Sequence, residues 1–180
     1  QASVLARHVP DAKVTLAGTN LDFEQPEDGA YTVTRWNARN ILQLVAAHDI
    51  IISSMLHPHD AGFFPFKRFV VDLFSQYAME WMEVGMQHYE GAQRRAWVER
   101  TRTVLAMQLT FADFLLTCNE RQRDSYVGMM ISLGLISPRV YEADATLRTY
   151  IDSAPHGIRA ELPIHAEPVL RGVREGFGKD

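Results

Sequence analysis

Three short runs decide most of what this chain can become: "DIIISS" at 49–54, "FVVDLF" at 69–74 and "DFLLTC" at 113–118. Each sets apolar residues side by side instead of at alternate positions. A strand with one solvated face alternates; consecutive apolar residues mean burial on both faces, as inside a parallel sheet. Parallel neighbours cannot be joined by a tight turn and need a long crossover, usually a helix. The stretches between the runs have helical spacing. "NARNILQLVAAH" at 37–48 puts Ile41, Leu44 and Val45 on one face, with Asn37 as the expected cap. "SQYAMEWMEVGMQHYE" reads as helix, a longer helix is expected over about 93–110, and a further one over 119–135. A short helix is expected near "DATLRTY", then a strand at "IDSAPHGI". The pattern predicts an α/β fold, Rossmann-like, with a mostly parallel sheet and helices on both faces.

The amino-terminal part fits this scheme with one irregularity. "QASVLARHVP" reads as the end of a helix, "AKVTLAG" and "YTVTRW" as strands, and "TNLDFEQPEDGA" as the loop between them. Such a unit ordinarily opens with a strand, a glycine-rich turn and a helix. Here the sequence starts within that helix, so the first strand is expected to be missing from the sheet. Exposed pairing edges would follow and would favour a homodimer of the fragment. Residues 1–160 form the expected domain, and 161–180, with Pro163, Pro168 and three glycines, a linker or docking segment.

Composition narrows the partners. The net charge is −4 and no Lys/Arg stripe is present, so nucleic acid is not the expected ligand. The single cysteine, Cys118, excludes an intrachain disulfide and fits a reducing, cytoplasmic setting. No apolar run approaches the roughly 18 residues of a membrane-spanning helix.

Parallel sheets bind ligands at the carboxyl ends of their strands. The residues there are Ser53, Ser54, Asp72, Cys118 to Glu120, and Pro155 to Gly157. In "CNERQRDSYVGMM", Asn119 and Gln122 have capping-box spacing, and Tyr126, Met129, Met130 and Leu133 form an apolar face. Glu120, Arg121 and Arg123 then fall in the first turn, at the positive helix end. They are either a solvated cap or a cleft wall, and Arg suits anion recognition. Gly128 costs about 1 kcal/mol in a helix and suggests a close helix–strand approach. Asp72 ends a buried strand and needs a partner or the cleft. His156 could be a general base or a turn histidine. His57, His59 and Asp60 flank a proline with no further ligand cluster, so no metal is expected. Ser53 and Ser54 lack a G-x-S-x-G elbow, and no phosphate-cradling glycine motif is present.

The order of these segments resembles the amino-terminal domain of GT-B glycosyltransferases, nearest to the retaining family 4 (group 1) enzymes. Asp72-Leu73-Phe74, with Glu80 eight residues after the Asp, resembles one family motif. Cys118, Asn119, Glu120, Arg121, Gln122, Arg123 and Asp124, running on to Gly128 and Met129, resemble another. Pro155, His156 and Gly157 resemble the turn that closes the domain. Where the family has Asp-Pro, this chain has Ser75-Gln76. The resemblance implies an acceptor-side domain with Asp72, Glu80, Asn119, Glu120, Arg121, Arg123, His156 and Gly157 lining a cleft. It implies a glycan or small-molecule acceptor and a second domain holding the nucleotide-sugar and the E-x7-E carboxylates. It also implies no cofactor in this domain, peripheral membrane association of the whole enzyme, and an isolated fragment that is inactive. The departing donor phosphate would take the acceptor proton. The alternative from the residues alone is a non-catalytic α/β binding or regulatory module.

Overall fold

A computed structural model describes residues 2–19, 24–54, 67–74, 77–155 and 157. The elements run α1 (Ala2–His8), β1 (Thr15–Gly18), β2 (Thr32–Arg35), α2 (Ile41–Ala46), β3 (Ile50–Ser53), β4 (Arg68–Leu73), α3 (Tyr77–His88), α4 (Gly91–Phe111), β5 (Phe114–Thr117), α5 (Glu120–Ser132), α6 (Pro138–Ala143) and β6 (Ile151–Ser153). The fold is α/β, and among the described residues every strand pair is parallel. The strands form two sheets, β1-β2 and β3-β4-β5-β6.

Pleating divides the larger sheet into unequal faces. Phe69, Val71 and Leu73 of β4, Leu115 and Thr117 of β5, and Ile151 of β6 share one face, each 5% exposed or less. Val45 of α2, Leu105 and Leu109 of α4, and Tyr126 and Met130 of α5 join that face in one core cluster. The opposite face carries Ile50, Ile52, Val70, Phe114 and Leu116, none of them buried. Ile50 is 57% and Ile52 43% exposed. The expectation that "DIIISS" is covered on both faces is therefore corrected. Sequential strand order, β3 to β6, with helical crossovers of one hand brings α4 and α5 to the same side of the sheet.

The helix ends show what local chemistry fixes. Asn119 caps α5, its Oδ1 accepting from the Gln122 N–H at 3.0 Å. Gln122 Oε1 reaches back to the Cys118 N–H at 2.9 Å, one residue earlier than in the usual box. α2 differs from expectation: its N-cap is Asn40, not Asn37. Asn37 Oδ1 accepts from the Arg39 N–H, and Asn40 Oδ1 from the Asn37 N–H, so the two side chains close a turn ahead of the helix. The short helix expected near 144–150 lies earlier, at Pro138–Ala143. Ser137 Oγ caps it and Pro138 occupies its first turn. Leu133, expected on the apolar face of α5, is its C-cap and is 44% exposed.

Two glycines diverge in role. At Gly128 an added Cβ would meet nothing within 4 Å, so the expected close approach is absent. At Gly85 in α3 the same atom would fall 2.2 Å from Trp97 Cδ1 of α4. Trp97 stacks on Trp81 at 5.5 Å and lies 5.0 Å from Tyr89, and its Nε1 donates to the Trp81 carbonyl at 2.5 Å. The α3–α4 hairpin closes on that ring.

Candidate functional site at the carboxyl edge

Register fixes which side chains meet at the carboxyl edge. Asp72 of β4 pairs with Leu116 of β5, and Leu116 with Asp152 of β6, so both aspartates stand on one face, two strands apart. Two spacings in a sheet are about 10 Å. One residue on, Leu73, Thr117 and Ser153 form the next row, on the core face. The Thr117 hydroxyl reaches the Asn119 carbonyl at 3.3 Å and the Ser153 hydroxyl at 3.4 Å, tying the end of β6 to the start of α5.

Cys118 lies at this edge, with its Sγ donating to the Phe74 carbonyl at 2.5 Å. Burial pushes its thiol pKa up, and the negative charge of Asp72 pushes it further. A protonated, hydrogen-bonded thiol is not a nucleophile at neutral pH. Asp72 is half-buried and its charge acts on Cys118.

The charged residues of the first turn of α5 separate by helical phase. Arg123 is 8% exposed. Its Nε donates to the Ile151 carbonyl at 2.9 Å, and an Nη donates to the Thr146 carbonyl. It anchors α5 to β6 and does not line the edge. Arg121 points outward, is exposed, and makes no ion pair or side-chain hydrogen bond among the described residues.

Glu120 is clamped. Arg148 Nη2 lies 3.0 Å from Glu120 Oε2 and Nη1 3.3 Å from Oε1, a bidentate fork. Arg148 Nη1 also donates to Asp152 Oδ1. The hydrogen bonds from Arg148, and then that of the Ser153 hydroxyl, hold the Glu120 carboxyl below its ordinary value of 4.5. Asp152 is held below its ordinary 3.8 by its Ser153 N–H bond and then by Arg148. Neither Arg148 nor Asp152 figures among the candidates read from the sequence. What aims Arg148 is a strained turn. Leu147, 6% exposed in the core, has φ of 58°, a left-handed conformation that a side chain disfavours by about 1 kcal/mol. Asp144 holds the turn by accepting from the N–H and hydroxyl of both Thr146 and Thr149.

A pH dependence follows. Carboxylates with lowered pKa contribute stability that is present above their unfolded values and lost as pH falls through the folded ones. Glu120 and Asp152 are both of this kind, and so is Asp144, lowered first by the Thr146 hydroxyl and then by the Thr149 N–H. Amide protection across 144–153 should hold constant from neutral pH down to 4.5, the ordinary value for Glu120, and fall progressively below it. Protection in α4 should not follow it. Hydrogen exchange with matched intrinsic rates measures both segments, and equal loss in the two would contradict the local origin.

The remaining candidates are scattered. Glu80 lies in the first turn of α3, exposed and without a hydrogen bond or ion pair among the described residues. Gly157 is exposed, with nothing within 4 Å of an added Cβ. His156, and the His57, His59 and Asp60 cluster, lie outside the described residues. Among the described residues no three His, Cys, Asp or Glu side chains gather in a way that could hold a metal ion. No protein-family model, no curated protein and no solved structure matches this chain.

Proposed function

We propose that this chain is the acceptor-side domain of a sugar-transferring enzyme, with the carboxyl edge of β4, β5 and β6 as its binding wall. The observation that carries this reading is the pairing, in one helical turn, of a fixed anion with a cation that has no partner among the described residues. Glu120 is ionised and oriented by Arg148, while Arg121 beside it is exposed and has no partner among the described residues. Ionised carboxylates accept hydrogen bonds from hydroxyl groups, and Arg donates two at once to oxygen pairs. Sugars present such hydroxyls in neighbouring pairs. Asp72 extends the acceptor row along the edge, and Asn119 keeps the α5 terminus in place.

In this reading the domain orients an acceptor hydroxyl, and a second domain binds the nucleotide-sugar. Transfer needs both, because alignment of the two reactants is what the assembly contributes. No helix of the described residues is long and apolar enough to cross a membrane. A cytoplasmic setting belongs to the proposal, since the donor is a nucleotide-sugar. Peripheral contact with a membrane belongs to the whole enzyme.

Calorimetric titration of residues 1–180 with a panel of mono- and disaccharides tests the assignment. At least one sugar should bind, and Arg121→Ala should weaken it about tenfold, the loss of one charge-assisted hydrogen bond. Affinity unchanged in Arg121→Ala, or binding confined to nucleotides, would overturn it.

A further inference from the structure

We propose that the side-chain amide of Gln25 is an edge guard: it fills the place of an antiparallel partner on the outer edge of β2 and holds back pairing of β2 with the β2 of a second copy. This inference stands apart from the sugar-binding reading and uses none of its residues.

The direction of the backbone groups shows which edge is guarded. The N–H groups of Thr32 and Trp36 donate to the carbonyls of Val14 and Gly18, on the β1 side. Backbone polar groups alternate sides along a strand, so those of Val33 and Arg35 point away from β1. Among the described residues β2 pairs only with β1. Gln25 fills the outward place. The Val33 N–H donates to Gln25 Oε1 at 2.9 Å, and Gln25 Nε2 donates to the Val33 carbonyl at 2.5 Å. In a parallel ladder the N–H and C=O of one residue bond to two different partners. Both going to one partner is the mark of a hydrogen-bonded antiparallel pair. A primary amide, with donor and acceptor side by side, reproduces that pair without a backbone.

The guard is placed firmly but held weakly. The chain turns directly after Gln25. The Gly29 N–H donates to the Pro26 carbonyl, Asp28 Oδ1 accepts from the Ala30 N–H, and Asp28 Oδ2 pairs with Arg7 of α1 at 3.0 Å. Gln25 itself is exposed, and among the described residues its amide bonds to nothing but Val33. Exposed hydrogen bonds contribute little net, because water replaces them. A competing strand can therefore displace the amide. The Arg35 carbonyl is also met, by Asn40 Nδ2 at 2.9 Å, but a carbonyl has two lone pairs and can take a second donor.

The edge is complementary to itself, so a second copy is the partner held back. A two-fold axis at Val33 sets Val33 against Val33, Thr32 against Thr34, and Tyr31 against Arg35. Threonine pairs across antiparallel strands are favourable, an arginine over a tyrosine ring adds a cation–π contact, and no charge meets its like. Centring the axis on Arg35 would instead set two guanidinium groups opposite each other. The β-branched run of β2 (TVTR) also suits a strand that pairs readily. The homodimer expected from exposed pairing edges is what Gln25 opposes at this edge.

Sedimentation velocity over a concentration series, on residues 1–180 with and without Gln25→Ala, tests this. Each copy loses one guard, at about tenfold per amide, so the dimer dissociation constant should fall about a hundredfold. Gln25 is exposed, and the circular dichroism spectrum should not change. The Val33 amide should exchange faster in the dilute variant, where it has lost its acceptor, and more slowly as dimer forms. Adding Val33→Lys puts like charges on the axis and should return the chain to monomer. Equal association of the two chains, including none in either, overturns the proposal. So does a dimer that Val33→Lys leaves intact. So does a Val33 amide still protected in monomeric Gln25→Ala, which would mean that another part of this chain holds the edge.

Discussion

Arg123→Met will destabilise the domain by about 2 kcal/mol. The methionine keeps the aliphatic stem that packs in α5 but removes every donor. Two acceptors then lose their partner, the buried carbonyl of Ile151 and the part-buried carbonyl of Thr146. A buried acceptor left without its partner costs about 1–3 kcal/mol, and bonds from a charged donor stand at the upper end. A typical domain has only about 5–15 kcal/mol of stability, so the loss is large. Arg123→Lys should recover less than half, because one ammonium cannot reproduce the geometry of the guanidinium fork. Urea denaturation gives the midpoint shift. A change under 0.5 kcal/mol for Arg123→Met would mean that the guanidinium is not an anchor and would return it to the cleft.

The second large effect lies at the α3–α4 hairpin. Gly85→Ala drives a methyl group to within 2.2 Å of the Trp97 ring. A flexible side chain would swing away, but this ring is held by stacking on Trp81, by Tyr89 and by its own hydrogen bond. Overpacking of this type costs about 1–3 kcal/mol, and the aromatic contacts themselves about 0.5–1.5 kcal/mol each if broken. The same urea experiment, followed by tryptophan emission, should show a lower midpoint and a red-shifted native spectrum. An unshifted spectrum would show that the hairpin adjusts through its backbone and leaves the ring where it is.

Local signals were readable where the interaction partners lie within one turn of chain. Asn119 and Gln122 are three residues apart, and their cap formed as the spacing implies. Ser137-Pro138 is an equally local start signal, and it marks the helix that sequence reading placed several residues too late. Phase could have separated the two arginines. Arg123, Tyr126 and Met130 follow one stripe at i, i+3, i+7, which points Arg123 inward, while Arg121 falls on the opposite side. Tertiary facts were not readable in this way. Arg148 reaches Glu120, 28 residues away, from a turn in which Leu147 adopts a left-handed conformation. The exposure of Ile50 and Ile52 could not be read from "DIIISS", because periodicity reports the faces a strand is built to bury and says nothing about which neighbours are there to bury them.

The most direct test of the binding wall is an amide chemical-shift map of residues 1–180 titrated with the tightest-binding sugar of the panel. The account predicts perturbations clustered at 72–74, 118–121 and 152–155, the carboxyl edge of β4, β5 and β6 with the first turn of α5. Perturbations confined to the opposite edge, around Arg68 and Asp113, or to the α3–α4 hairpin would contradict it.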